Sequence, residues 1–224
     1  RRATITNAVT RGLSPNAELK DTGIKWLGKI PSHWEMSKIK YVSRYFSGGY
    51  PLPKNSAEPE TEPWVQISDI TKNTLDKPKA RISKKDINEV NIQKTVKDSL
   101  LFSFKMSVGR TAISPIDLYT TSEIATFLPS DKIQSRYAFY AYPFYIPKNA
   151  KKNMAGSDLM NLELIGTARI CLPPVPEQKE IVTFLDNENK TLEQLKQKIE
   201  KQVDILKERR ISLISKAVTG KIKV

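Results

Sequence analysis

The chain has 224 residues, of which 39% are hydrophobic and 27% are charged, a composition typical of a globular protein that buries a core. It contains no run of about 18 apolar residues, which excludes a membrane-spanning helix on length. Lys and Arg number 37 against 24 Asp and Glu, a formal net charge of +13. Such an excess is typical of phosphate-binding proteins, because neutralised phosphates release their counterions.

The first segments along the chain predict a helix end, a linker and a loop. Residues 1–13 (RRATITNAVTRGL) contain neither an initiator Met nor the apolar core of a signal peptide, so we expect the chain to be a piece of a longer one. Residues 22–34 (TGIKWLGKIPSHW) predict a Gly/Pro-broken linker that carries two tryptophans. Residues 50–63 hold four prolines and three glutamates and predict an exposed loop.

Short runs with the composition of strands follow, separated by loops rich in Pro, Ser, Asn and Lys. They predict strands at residues 64–70, 100–104, 111–114, 124–128 and 168–172. Residues 136–145 (RYAFYAYPFY) are rich in aromatics and predict a short helix packed in the core. The predicted fold class is therefore α+β: a globular mixed α/β domain followed by a long coiled-coil helix.

The strongest pattern lies in the C-terminal part. After a Pro-rich break at residues 172–176, some 40 residues up to Gly220 contain neither Gly nor Pro, which predicts a helix of about 60 Å. Within it Leu185, Leu192, Ile199, Leu206 and Leu213 recur at a strict interval of seven, the heptad spacing of a coiled coil. So narrow an apolar seam needs a partner helix, whereas a helix lying on the domain's own core would show a broader apolar face. The predicted coiled-coil seam consists of Leu185, Leu192, Leu195, Ile199, Leu206 and Leu213.

A short repeat joins the two ends of the chain. Residues 1–13 are similar to residues 210–222 at an offset of 209, with identities at Arg1, Ile5, Ala8, Val9 and Thr10. Each copy contains a glycine, Gly12 or Gly220, that can stop a helix. This similarity suggests one unit of a tandem architecture.

No pattern in the sequence indicates an active site. The chain has no GxxxxGK[ST] phosphate loop, and its only histidine, His33, has no nearby Cys or second His to hold a metal. The only cysteine, Cys171, cannot form an internal disulfide, which fits a reducing cytoplasm, and it lies between apolar residues where we expect it to be buried. Glu177 is best explained as a first-turn charge favoured by the helix dipole. We expect no metal and no cofactor.

The remaining polar side chains suit DNA. Arg can pair bidentately with guanine, Asn with adenine, and Lys with phosphate. Residues 107–110 (SVGR) place a flexible turn beside an Arg fork, and the backbone of residues 156–157 can approach a phosphate closely. A single lysine is usually a solvated surface residue, so the prediction depends on clustering in loops. The predicted DNA-binding residues are Lys72, Arg81, Lys84, Lys85, Lys105, Ser107, Arg110, Lys151, Lys152, Asn153, Gly156 and Ser157.

Three segments resemble the specificity subunits of type I restriction–modification systems. Residues 26–34 (WLGKIPSHW) with 38–41 resemble the opening of a target-recognition domain. Residues 172–185 (LPPVPEQKEIVTFL) resemble the junction that leads into the family's conserved helix, and residues 217–220 (AVTG) resemble that helix's ending. The resemblance implies three parts: the tail of a preceding conserved helix with a linker (1–21), a target-recognition domain (22–172) and the conserved long helix (173–224).

The resemblance also implies a division of labour. The chain would read one half of a split target in double-stranded DNA and dock methylation subunits, and through them restriction subunits, with its long helix. The methylation subunits would carry S-adenosylmethionine and the chemistry, so this chain would not be an enzyme. The second recognition half would come from a longer subunit or from a homodimer, and a homodimer predicts a palindromic split target.

Two other functions stay open on the sequence alone. One is a coiled-coil protein-interaction scaffold whose basic loops are incidental. The other is an intrinsic nuclease or methyltransferase, which the missing motifs disfavour.

Overall fold

A computed structural model describes residues 1–50, 60–71, 74–105, 107–152 and 158–219. The helices are α1 (Arg2–Arg11), α2 (Ile39–Val42), α3 (Lys84–Val90), α4 (Ser135–Tyr145), α5 (Leu162–Thr167) and α6 (Val175–Val218). The strands are β1 (Leu19–Asp21), β2 (Lys29–Pro31), β3 (Glu35–Lys38), β4 (Tyr45–Ser47), β5 (Thr61–Val65), β6 (Ile70–Thr71), β7 (Thr74–Leu75), β8 (Ala80–Ser83), β9 (Leu100–Ser103), β10 (Thr111–Ile113), β11 (Tyr119–Thr120), β12 (Ile124–Phe127), β13 (Lys151–Lys152), β14 (Asp158–Leu159) and β15 (Arg169–Leu172).

The chain divides into two compact units, residues 2–182 and residues 183–224 together with Arg1. The described strands and α1–α5 lie in the first unit, which corresponds to the mixed α/β domain predicted from the sequence. Its central sheet has the antiparallel order β10-β9-β12-β4. Every residue of β9 and β12 is buried, so these two strands are covered on both faces.

The predicted aromatic helix is confirmed as α4, which packs against β9, β10 and α1. The Tyr142 ring meets Phe127 of the central sheet edge-on, with ring centroids 4.8 Å apart. The hydroxyl of Tyr145 donates a hydrogen bond of 2.6 Å to the carbonyl oxygen of Val9. The aromatic helix therefore holds the end of α1 in the core, where Ala8 and Val9 are buried.

Three sequence predictions for the first unit need correction. The strand predicted at residues 64–70 breaks after Val65, because the backbone N–H of Gln66 donates to Asp69 and starts a 3-10 turn at Ile67–Asp69. The linker predicted at residues 22–34 contains β2, which pairs with β1. In the predicted loop at 50–63, residues 61–63 belong to β5 and residues 51–59 lie outside the described residues.

The predicted long helix is confirmed as α6, whose 44 residues span about 66 Å. Pro176 fits its first turn, where the missing N–H would have no acceptor within the helix. In the second unit, the seam residues Leu192, Leu195, Ile199, Leu206 and Leu213 are between 41% and 62% exposed, whereas Leu185 is 1% exposed. Such a helix fits a coiled coil, because its apolar seam is left open to solvent. None of the described helices is long and apolar enough to cross a membrane.

Candidate nucleic-acid interface

The turn between β9 and β10 is held by one buried hydroxyl. Oγ of Ser103 donates to the carbonyl oxygen of Ser107 at 2.6 Å and accepts from the backbone N–H of Arg110 at 3.1 Å. Ser107 and Gly109 have φ values of 50° and 94°, in the left-handed region that glycine adopts without cost. The backbone from Ser107 to Arg110 is therefore held against β9 by hydrogen bonds within the chain.

Two of the predicted DNA-binding cations flank this turn. Arg110 is exposed, and its Nη1 lies 3.5 Å from the carbonyl oxygen of Ile70 in the neighbouring β6–β7 hairpin. Nζ of Lys105 lies 5.5 Å from the ring centroid of Tyr50 and 3.4 Å from Oγ of Ser122. The turn, Tyr50 and the β6–β7 hairpin thus form one surface.

Tyr50 is a candidate that the sequence analysis missed. It is 71% exposed, and an exposed ring beside a lysine offers a stacking face for a base together with a charge for a phosphate. The signal that could have identified it is an aromatic residue at the start of an otherwise polar, Pro-rich segment.

A second group of predicted residues lies on β8 and α3 and already has partners within the chain. The guanidinium of Arg81 donates to Oγ1 and to the carbonyl oxygen of Thr61, both at 2.6 Å. Nζ of Lys84 lies 2.9 Å from the Glu60 carboxylate and donates a hydrogen bond to it, and this bond raises the pKa of the lysine. Lys85 lies 4.0 Å from Glu89. DNA would have to compete with these partners. The hydrogen bonds of Lys105 and Arg110 go to uncharged oxygens at 3.4 and 3.5 Å and are weak, so these two are better placed to read bases.

The other predicted residues lie elsewhere. Lys151 is exposed on β13, where its backbone pairs with β14, and Lys152 follows it on the same strand. Lys72, Asn153, Gly156 and Ser157 lie outside the described residues. For these positions DNA contact stays a prediction.

Glu177, in the first turn of α6, joins two distant segments of the chain. Its Oε2 accepts a hydrogen bond of 2.9 Å from Nε1 of Trp34, and Nε2 of His33 lies 2.8 Å from the same oxygen. A Cβ atom at Gly12 would stand 2.9 Å from Oε1 of Glu177. The carboxylate therefore does more than interact with the helix dipole, since it ties the start of α6 to the loop before β3.

The buried side chain of Gln178 also holds the start of α6 in place through hydrogen bonds. Its side chain is fully buried; Oε1 accepts from the backbone N–H of Gln134 at 2.9 Å, and Nε2 donates to the carbonyl oxygens of Lys132 and Pro173 at 3.0 and 2.9 Å. One amide thus satisfies three backbone groups from two segments, which anchors the start of α6 in the first unit.

Cys171 is buried on β15, as expected from the sequence, and burial raises the pKa of its thiol from the ordinary value of 9.0 to about 11. The thiolate is the reactive form, and this higher pKa lowers the thiolate population at pH 8 about 100-fold. We expect iodoacetamide to leave the folded chain unmodified at pH 8 and to alkylate it fully in denaturant, as measured by mass spectrometry. Rapid alkylation of the folded chain would contradict the buried placement.

Comparison with known proteins identifies the family to which the chain is related. The family model for the type I restriction modification DNA specificity domain matches residues 31–204. The type I restriction enzyme MjaIX specificity subunit of Methanocaldococcus jannaschii is 26% identical over 176 residues, covering 75% of this chain and 40% of that protein. The putative MjaX specificity subunit of the same organism is 25% identical over 206 residues, covering 86% and 47%.

Solved structures share the fold. A chain from a study of complex assembly and conformational transition of the type I R-M system superposes with a TM-score of 0.70 at 19% identity, covering 96% of this chain and 50% of that one. The HsdS subunit from Thermoanaerobacter tengcongensis gives a TM-score of 0.60 at 18% identity, covering 88% and 44%. The chain therefore spans half or less of the length of each of these relatives.

Proposed function

Because the chain belongs to the family of the type I restriction modification DNA specificity domain, we propose that it recognises a specific sequence in double-stranded DNA for a type I restriction–modification complex. The observation that carries the proposal is the β9–β10 turn, where Ser103 fixes the backbone and Lys105 and Arg110 flank it. Arginine is well suited to read guanine. A DNA-contacting turn that is rigid before binding loses little conformational entropy when it binds.

In this proposal the chain does no chemistry and recruits the subunits that do. The exposed seam of α6 supplies the docking surface for the methylation subunits and for a second helix. A narrow stripe of leucines that is open to solvent is unfavourable in an isolated helix, which supports pairing.

We further propose that the chain reads one half of a split target. Two observations support a second recognition unit: the chain spans half or less of its relatives' length, and the two copies of the terminal repeat differ in burial. Val9 is fully buried, whereas its counterpart Val218 is 83% exposed. The threonines that follow both bond back by one turn, Thr10 to Thr6 and Thr219 to Ser215, each at 2.7 Å. The C-terminal copy of the repeat thus has the same helical hydrogen bond as the first copy, but its valine is exposed instead of buried.

Selection from a random pool of duplex DNA, with the methylation subunits present, tests the function. We expect one enriched motif, and recovery of none would refute DNA recognition. Salt separates this function from that of a protein-interaction scaffold: affinity for DNA should fall steeply between about 50 and 200 mM salt, whereas apolar helix pairing should barely change.

Arg110→Ala tests the base-reading role of the turn. Loss of a guanine contact should cost about 1–3 kcal/mol on target DNA and much less on random DNA, so discrimination should fall more than general affinity. Titration of both DNAs with labelled duplex measures the two effects. Arg11→Ala, which removes an exposed arginine from the end of α1, is the matched control and should leave discrimination unchanged. Equal losses on both DNAs for Arg110→Ala would contradict the assignment.

A further inference from the structure

Three clefts on the first unit are linked in series by shared lining residues. The first has a volume of about 750 Å³ and lies around residues 40–45 and 129–132. The second, of about 320 Å³, shares Tyr41 with the first. The third, of about 240 Å³, shares Arg169 with the second. The residues predicted from the sequence to bind DNA line none of these three clefts.

The row is strongly basic. Six cations line it against two carboxylates, Asp131 and Glu163, both in the first cleft. We name the six the basic track: Lys38, Lys40, Arg44, Lys132, Lys148 and Arg169. Within the part of the chain that the structure describes, none of the six forms an ion pair with a carboxylate. In this they differ from Lys84 and Lys85, whose charges are met by glutamates.

The fold places two of these cations directly opposite each other. β15 pairs antiparallel with β3, and the register sets Arg169 opposite Lys38. Like charges at opposed positions of a strand pair repel and lower stability. An anion bound between the two side chains would replace this repulsion with two attractive contacts.

Aromatic rings hold other cations of the track in place. Nζ of Lys40 lies 5.0 Å from the ring centroid of Tyr41, and Nζ of Lys148 lies 6.0 Å from that of Trp26. Nζ of Lys132 donates to the carbonyl oxygen of Tyr41 at 3.2 Å. These contacts engage the cations without neutralising their charge, so the positive field of the clefts is kept.

Arg44 of the basic track and Arg110 of the β9–β10 turn lie beside opposite edge strands of the central sheet. Arg44 precedes β4, which is one edge strand, and Arg110 precedes β10, which is the other. Three strand spacings of about 4.8 Å separate the edges, or about 14 Å. Arg44 therefore lies apart from the proposed reading turn, and no residue of the turn lines any of the three clefts.

We propose that the basic track binds the phosphate backbone of DNA outside the bases that the turn reads; this rests on the proposed function. Each of the three clefts contains at least one cation, and a nucleic-acid backbone presents negative charge repeatedly along one path. The track contributes affinity without sequence discrimination, because phosphates are the same in every sequence.

Lys38→Gln together with Arg169→Gln removes the opposed pair. If each cation contacts one phosphate, the slope of log affinity against log salt becomes shallower by about 1.8. Over 50 to 200 mM salt the wild-type chain should then lose about 12-fold more affinity than the double variant. Discrimination between target and random DNA should be unchanged. Fluorescence anisotropy of the purified full chain on both duplexes measures the slope and the discrimination.

Lys97→Gln with Lys201→Gln is the charge-matched control, since both lysines are exposed and line none of the three clefts; its slope should equal that of the wild type. Lys132→Gln with Lys148→Gln provides a second test that leaves the β3–β15 pairing intact.

An unchanged slope in both track variants would overturn the inference while wild-type binding upholds the proposed function. Loss of association with the methylation subunits at an unchanged DNA slope would instead assign the track to an acidic protein surface and overturn it too. Absence of any wild-type binding to duplex DNA, with the methylation subunits present as well as without them, would refute the proposed function and this inference together.

Discussion

Replacing Gln178 with alanine is expected to lower the free energy of unfolding of the first unit by about 3 kcal/mol or more. The fully buried side chain satisfies one backbone N–H and two carbonyl oxygens. Each buried polar group left without a partner costs about 1–3 kcal/mol, and the deleted atoms leave a cavity as well. At 2–4 °C per kcal/mol for a unit of this size, the melting temperature should fall by about 6 °C or more.

Glu180→Ala is the matched control for this prediction, because Glu180 is exposed two residues later on the same helix. We expect a change within about 0.5 kcal/mol for it. Calorimetry of both variants beside the wild type separates loss of the junction from a general effect of alanine on α6. Equal melting temperatures for Gln178→Ala and the wild type would show that the three backbone groups do not depend on this amide.

The sequence predicted the elements whose signal is local. The seven-residue spacing of leucines in α6, the aromatic run of α4 and the short apolar strands of the central sheet each carry their own periodicity or composition. Their existence and type were therefore predictable. The missed details were also local in origin: the turn after Val65 depends on one side-chain contact between Gln66 and Asp69, which the apolar pattern of residues 64–70 does not reveal.

The candidate sites were less predictable, because they depend on pairs of residues distant in sequence. Trp34 and Glu177 are 143 positions apart and form one hydrogen bond, and the register of β3 with β15 creates the opposition of Lys38 and Arg169. Nothing in the local pattern around Lys84 indicates its pairing with Glu60. Counting basic residues in loops therefore overestimates the DNA-binding role of lysines that are already paired with carboxylates. It also misses basic residues that several secondary-structure elements bring together.

The second large effect is expected from the exposed seam of α6. The double substitution Ile199→Glu and Leu206→Glu should weaken the pairing of α6 with a second helix by about 100-fold or more. A buried Ile or Leu contributes about 1.5–3 kcal/mol, and an unpaired carboxylate in an apolar seam adds a further cost. Two such positions exceed the roughly 2.8 kcal/mol that corresponds to 100-fold. Sedimentation of the wild type and the variant over a range of concentrations measures the pairing.

Ile211→Glu is the control that isolates the seam from general hydrophobicity. Ile211 is 68% exposed and lies about 140° around the helix axis from Leu206, at about 100° per residue, so it faces away from the seam. The Ile211→Glu variant should have the same mass in solution as the wild type. Because Ile199 and Leu206 are 60% and 62% exposed, their replacement should also leave the melting temperature of the first unit unchanged. Equal loss of pairing in both variants would mean that the whole helix surface, rather than one seam, holds the second helix, and the heptad spacing would then not determine the pairing.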